Sequence, residues 1–162
     1  MKDAFSMTLT TCAPEQTTEL AAAMGALLQP GDTLLLDGPV GAGKSHFCRA
    51  LIQSRLAALG RMEDVPSPSF TLVQTYALGE TELWHADLYR LSDPQEIIEL
   101  GLEEAFAQAI CLVEWAERLG DMAPRSALHL TLSPGCDPEM RQLRLDGPQH
   151  WQDRLAGLLA RV

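Results

Sequence analysis

The spacing of apolar positions changes several times along the chain, and each change marks an element. Residues 15–28 (EQTTELAAAMGALL) carry apolar side chains at helical intervals and predict a helix. Pro30-Gly31-Asp32 is a turn, and residues 33–37 (TLLLD) are a short continuous apolar run, the pattern of a buried strand. A glycine-rich loop covers 38–43, and residues 44–59 return to a helical period. The prolines in 61–69 predict a loop. Residues 70–78 and 81–89 alternate and predict a β-hairpin around Gly79-Glu80. Ser92-Asp93-Pro94 is a helix start, and the helix that follows to about residue 108 is interrupted at Gly101. Residues 109–115 form a short buried strand, 126–133 and 140–146 alternate as strands, and 149–162 close the chain as an amphipathic helix. Strands interleaved with helices, plus a hairpin, predict a single α/β domain over residues 1–162 with a mixed parallel and antiparallel sheet.

Composition narrows the function. With 162 residues, 46% of them hydrophobic and 21% charged, the chain has the makings of one globular domain with a real core. There is no repeat or low-complexity tract. The formal net charge of −10 argues against an intrinsic grip on nucleic acid or anionic membranes, which rests on Lys and Arg. Any nucleic acid would be met only indirectly, through another subunit. Cys12, Cys48, Cys111 and Cys136 form no CxxC pair, and Cys48 and Cys111 fall in apolar segments, so buried free thiols are expected. That usage, with no signal-peptide pattern and no apolar run long enough to span a membrane, points to the cytoplasm.

The candidate chemistry lies in Gly38-x-x-x-x-Gly43-Lys44-Ser45, which fits the phosphate-loop pattern between a predicted strand and a predicted helix. Gly38, Gly41, Ala42 and Gly43 let backbone N–H groups approach anionic oxygens. The helix beginning at Lys44 adds its unpaired N–H groups and the positive end of its dipole. Lys44 is the one lysine besides Lys2, a compact cation suited to β- and γ-phosphates, and the Ser45 hydroxyl is suited to Mg²⁺. A chain of this size matches these four positions by chance only on the order of 1% of the time, so a glycine turn that binds nothing is the weaker reading. The fold expected is therefore a P-loop NTPase-like three-layer α/β arrangement.

A phosphate loop also needs a carboxylate, to hold Mg²⁺ or to orient water. Glu114 ends the apolar run ICLVE and so stands at the carboxyl end of a buried strand. Asp87 shares one strand face with His85 and Tyr89, while Trp84, Ala86 and Leu88 share the other. An exposed strand-end carboxylate is the bland alternative for each acid. His46, His85, His129 and His150 show no ligand spacing, which argues against a metal cluster. Glu96, Glu99, Glu103 and Glu104 read as a solvated helix face, and Trp151 with Leu155 and Leu158 as core.

Five stretches in order, GPVGAGKS (38–45), SPSFTLVQTY (67–76), HADLYRL (85–91), DPQEIIELGLEE (93–104) and VEWAE (113–117), resemble the TsaE (YjeE) family of bacterial ATPases. The resemblance runs from the first helix to the Arg141 strand. It implies ATP and Mg²⁺ as cofactors, and TsaB and TsaD as partners in making threonylcarbamoyladenosine at position 37 of tRNAs that read ANN codons. By motif position it implies that Gly38, Gly41, Ala42, Gly43, Lys44, Ser45 and His46 meet the nucleotide, that Ser45 and Glu114 hold Mg²⁺, and that Asp87 supports hydrolysis. Ser67, Pro68, Ser69, Phe70 and Thr71 would form a switch-like loop near the γ-phosphate, and Trp115 and Arg141 would lie close to the nucleotide. Pro39-Val40 stand where the family usually has Asp-Leu, and Ser45-His46 where it has Thr-Thr. Ser69 replaces a Thr, Ala86 a Phe and Ala116 a Pro. Ser45 and Ser69 keep the hydroxyl, and Pro39 removes one N–H from the loop.

Two other readings fit the loop. A small-molecule P-loop kinase needs a mobile lid with arginines, and residues 61–69 and 117–125 offer only Arg61, Arg118 and Arg125. A nucleotide-gated scaffold with negligible turnover would not need Ser45, Asp87 and Glu114 together.

Overall fold

The structure is a computed structural model that describes residues 4–159. The last residues of the predicted closing helix, 160–162, lie outside the described residues, as does Lys2. In chain order the elements are β1 (Ala4–Thr11), α1 (Pro14–Leu27), β2 (Thr33–Asp37), α2 (Lys44–Ala58), β3 (Val73–Leu78), β4 (Thr81–Asp87), α3 (Pro94–Glu99), α4 (Leu102–Gln108), β5 (Ile110–Glu114), a 3-10 turn (Ala116–Met122), β6 (Leu128–Pro134), β7 (Arg141–Pro148) and α5 (Gln149–Leu159).

The strands form one seven-stranded sheet in the order β1-β7-β6-β2-β5-β4-β3. β6, β2, β5 and β4 are mutually parallel, and β3, β7 and β1 join antiparallel at the two sides. This is the α/β mixed sheet with hairpin that the apolar pattern predicts. The parallel core explains why TLLLD and ICLVE are apolar throughout, since such strands are buried on both faces.

Strand periodicity divides the core into two layers. Leu34, Leu36, Ile110, Leu112 and Leu83 face α1, α2 and α5, where they meet Met24, Phe47, Leu51, Trp151 and Leu155. Leu35, Val113 and Ala86 face the other way, onto Ile97, Leu102 and Leu119 from α3, α4 and the 3-10 turn. Trp151, Leu155 and Leu158 are core, as their spacing suggested, and the indole N–H of Trp151 donates to the Ser126 carbonyl at 2.7 Å. Asp93 caps α3 by accepting from the Gln95 N–H, and Gly101 at φ +82 turns the chain into α4. Among the described residues no helix is long and apolar enough to cross a membrane.

Two expectations are corrected. Residues 4–11 form a strand that the sequence reading leaves unassigned. β1 pairs with β7 along its whole length, with Phe5 and Leu9 turned into the core. The first hairpin strand begins at Val73, not at 70. Residues 68–72 close as a turn, with the Leu72 N–H donating to the Pro68 carbonyl at 2.7 Å and Leu72 at φ +71. That left-handed backbone cannot continue a strand.

Candidate functional site

β2 runs up the middle of the sheet and ends at Asp37, where residues 38–43 wrap back into α2. Gly38 has φ +142, and a Cβ there would lie 2.2 Å from the Leu132 carbonyl oxygen on β6. This glycine is therefore required by close approach to the neighbouring strand, beyond any need of a ligand. Gly43, at φ +108, caps α2 in a left-handed conformation that aims the first N–H groups of the helix into the loop.

Lys44 opens α2 and is buried, with 5% of its surface exposed. Its ammonium donates to the carbonyls of Gly38 and Pro39 and lies 4.2 Å from the Trp115 ring centroid. Ser45 Oγ donates to Glu114 Oε1 at 2.9 Å. The side chain of His46 meets Thr18 Oγ1 on α1 at 3.0 Å.

The acids arrive on two parallel neighbours. Asp87 and Glu114 are paired in register at the carboxyl ends of β4 and β5, and Leu36 of β2 pairs with Glu114 on the other side. Ligands of open α/β sheets bind at these strand ends. Both carboxylates are buried, Asp87 at 6% and Glu114 at 1% exposure, so the reading of either as a solvated strand end fails. Asp87 Oδ1 accepts from the Tyr89 N–H at 2.9 Å, and Ser69 Oγ donates to Oδ2 at 3.4 Å. Glu114 Oε2 meets His85 Nε2 at 2.6 Å.

These groups line a cleft of about 490 Å³ that also includes Val40, Gly41, Gly43, Tyr89, Trp115 and Arg141. Arg141, at the start of β7, is anchored by the Pro138 and Met140 carbonyls. Trp115 holds a left-handed backbone at φ +56, and its ring meets Tyr89 with centroids 4.8 Å apart. Such strain, roughly 1–3 kcal/mol, persists only where the surroundings enforce it. Here the Trp115 N–H is tied to the Leu36 carbonyl at 3.0 Å.

Not every predicted residue lines the cleft. Ala42 is buried, with its N–H bonded to the Pro39 carbonyl, and Gly38 contributes its carbonyl to Lys44. Of the switch-like loop, Ser69 reaches the cleft. Ser67 stands behind it with the two hydroxyls 2.8 Å apart, Pro68 is buried, and Thr71 accepts from the Gln74 side chain. Phe70 is 85% exposed, with the Arg90 guanidinium 5.2 Å from its ring.

Sequence reasoning missed His85 and Tyr89. Cys48 Sγ, a His85 ring nitrogen and a Glu114 oxygen lie within 4.8 Å of one another, a cluster that linear spacing did not show. Burial first, and then the Glu114 and Asp87 carboxylates, push the Cys48 thiol well above its usual range. Its sulfur is also a soft donor, ill matched to a hard cation such as Mg²⁺. Ser45 and Glu114, by contrast, present hard oxygens side by side, the donor set of a hard divalent cation.

Comparison with known proteins accords with this geometry. The family model described as "Threonylcarbamoyl adenosine biosynthesis protein TsaE" matches residues 11–142. The tRNA threonylcarbamoyladenosine biosynthesis protein TsaE of Rickettsia bellii is 40% identical over 118 residues, 73% of this chain and 80% of that protein. Its namesake in Rickettsia felis is 44% identical over 103 residues, 64% of this chain and 58% of that longer protein. A crystal structure of Bacillus subtilis YdiB superposes with a TM-score of 0.77 at 30% identity, covering 98% of this chain and 96% of that one. With a family model spanning the glycine loop, both buried acids and Arg141, the chain belongs to the TsaE family.

Proposed function

We propose that this protein is a Mg²⁺-dependent ATPase that drives turnover of a TsaB–TsaD pair making threonylcarbamoyladenosine at position 37 of tRNAs that read ANN codons. The observation that carries the reading is the contact between Ser45 Oγ and Glu114 Oε1 at 2.9 Å, at the head of a glycine loop closed by a buried lysine. A half-buried hydroxyl and a buried carboxylate beside a buried ammonium fit a polyphosphate with its metal.

Each residue then has a task. Lys44 and the N–H groups at the start of α2 neutralise phosphate oxygens. Ser45 and Glu114 would hold Mg²⁺, which would offset the negative charge of the phosphates. Asp87 is the group to orient a water and take its proton, since its Oδ1 is fixed by the Tyr89 N–H and its Oδ2 is reached only by a long bond from Ser69. Trp115 and Tyr89 wall the cleft with two rings in tilted contact. Ser69 links the switch-like loop to Asp87, which gives that loop a means to report the state of the site.

The partner half of the reading rests on family membership and charge. A chain of net charge −10 has little to neutralise a tRNA backbone with, so the tRNA belongs to the partners. The kinase alternative is weakened by the cleft lining, where the arginine is Arg141, on a strand and not on a lid. The test is reconstitution with TsaB, TsaD, tRNA, threonylcarbamoyl-adenylate and ATP. Multiple-turnover modification is expected with this protein and a single round without it. Many rounds without it would overturn the reading, and phosphate transfer from ATP to a metabolite would reopen the kinase.

A further inference from the structure

At its carboxyl end β4 turns two polar side chains, His85 and Asp87, to the face toward α2. Asp87 reaches the cleft, whereas His85, two residues earlier, stops short of it and is 1% exposed. A buried histidine is ordinarily satisfied at both ring nitrogens or packed for its shape. Here Nε2 lies 2.6 Å from Glu114 Oε2, while Nδ1 has no hydrogen-bond partner among the described residues. A carboxylate only accepts, so Nε2 is the donor. Among the described residues, the ring's hydrogen bonding is therefore to Glu114 alone.

The consequence falls on Glu114. Its two oxygens are held in opposite directions, Oε1 by the Ser45 hydroxyl at 2.9 Å and Oε2 by the imidazole at 2.6 Å. Without the second bond the carboxylate could rotate about its last torsion, which is broad for such groups. We infer that His85 is a positioning residue, whose Nε2–H pins Glu114 Oε2 from behind so that Oε1 faces Ser45 and the phosphate loop. The inference rests on the reading of Glu114 as a Mg²⁺ ligand. It gives β4 a double role, with Asp87 acting in the cleft and His85 fixing the ligand on the next strand. Partners that orient metal ligands are worth about 10- to 100-fold in metal affinity.

The experiment compares His85→Leu, which keeps bulk and removes the donor, with His85→Gln, whose amide N–H can stand where Nε2–H stood. Binding of a non-hydrolysable ATP analogue is titrated with Mg²⁺, and binding without metal is measured in parallel. His85→Leu is expected to raise the Mg²⁺ midpoint about 10-fold or more while metal-free affinity stays unchanged, and His85→Gln to recover most of the loss. In a Glu114→Gln background His85→Leu should add nothing. If His85→Leu does not fold, His85→Asn replaces it, since its amide is too short to reach Glu114. A long-range ¹H–¹⁵N spectrum of the metal-free protein should place the ring proton on Nε2.

Equal Mg²⁺ midpoints for wild type and His85→Leu, or equal losses in the Leu and Gln variants, would overturn the inference and leave the ATPase reading standing. So would a ring proton on Nδ1 alone. Wild-type protein that binds the analogue with no dependence on Mg²⁺ would remove the ATPase reading itself, and the positioning role with it.

Discussion

The Lys44 ammonium sits 4.2 Å from the centre of the Trp115 ring and is shared between that ring and the carbonyls of Gly38 and Pro39. A phosphate drawing on this charge must change the field across the indole. The fluorescence of the protein is therefore expected to change when ATP and Mg²⁺ are added. Trp115→Phe should abolish the response although Trp84 and Trp151 remain, because Trp151 is wholly buried and bonded to Ser126 on α5's side of the sheet. Lys44→Ala should weaken ATP binding about 10- to 100-fold, the worth of a charge-assisted hydrogen bond, with an unchanged circular dichroism spectrum. A response that survives in Trp115→Phe would move the nucleotide away from this ring.

Glu114 and Asp87 stand opposite one another on β5 and β4, yet their partners differ. Glu114 is tied to Ser45 and His85, and Asp87 to the Tyr89 backbone and the Ser69 hydroxyl. Glu114→Gln should cost about 10- to 100-fold in Mg²⁺-dependent binding. Asp87→Asn should bind ATP nearly as wild type does and lose about 100-fold or more in turnover, the usual worth of a positioned base. Calorimetry and a phosphate-release assay separate the two, and interchanged phenotypes would interchange the roles.

Gly38 and Gly41 look alike in the motif and differ in the fold. A Cβ on Gly38 would sit 2.2 Å from a β6 carbonyl, and backbone on both sides leaves nothing to yield. A Cβ on Gly41 meets nothing within 4 Å, so only its φ of +82 resists substitution. Urea unfolding should show Gly41→Ala destabilised by about 1–2 kcal/mol, the cost of a left-handed residue. Gly38→Ala should lose clearly more, with the loop displaced from β6. Equal losses would mean that the loop moves away from Leu132 freely.

What the sequence made legible was local. The glycine loop between β2 and α2, the end of ICLVE at Glu114 and the two faces of β4 follow from periodicity and turn chemistry within a few residues. β1 was not legible in the same way. Phe5 and Leu9 alternate with polar neighbours, but the strand exists because β7, at the far end of the chain, offers it an edge. The hairpin start was misjudged because Phe70 and Leu72 are apolar, whereas Phe70 is exposed and Leu72 sits in a left-handed turn. The His85–Glu114 pair is separated by 29 positions and arises only once β4 and β5 lie parallel in register. The apolar spacing of α2 likewise foretold that Cys48 is buried without saying which carboxylates it would lie beside.

That burial carries a last expectation. Cys48 and Cys111 are buried, whereas Cys12 and Cys136 are exposed. Below about pH 7.5 the buried thiols are protonated in both the folded and the unfolded chain and add no pH dependence. Burial pushes Cys111 up from 9.0 to about 12 and Cys48 well above 9.0. Above pH 9 the unfolded chain releases these protons while the folded chain keeps them. Stability is therefore full below the unfolded value and falls as pH rises toward the folded one. The slope per thiol is about 1.4 kcal/mol for each pH unit. Urea midpoints between pH 8 and 10.5 should fall less steeply in Cys111→Ala than in wild type. A thiol reagent at pH 8 should label Cys12 and Cys136 in the native protein and the other two only in denaturant. Rapid native labelling of Cys48 would mean that the core beside Lys44 and Glu114 opens to solvent.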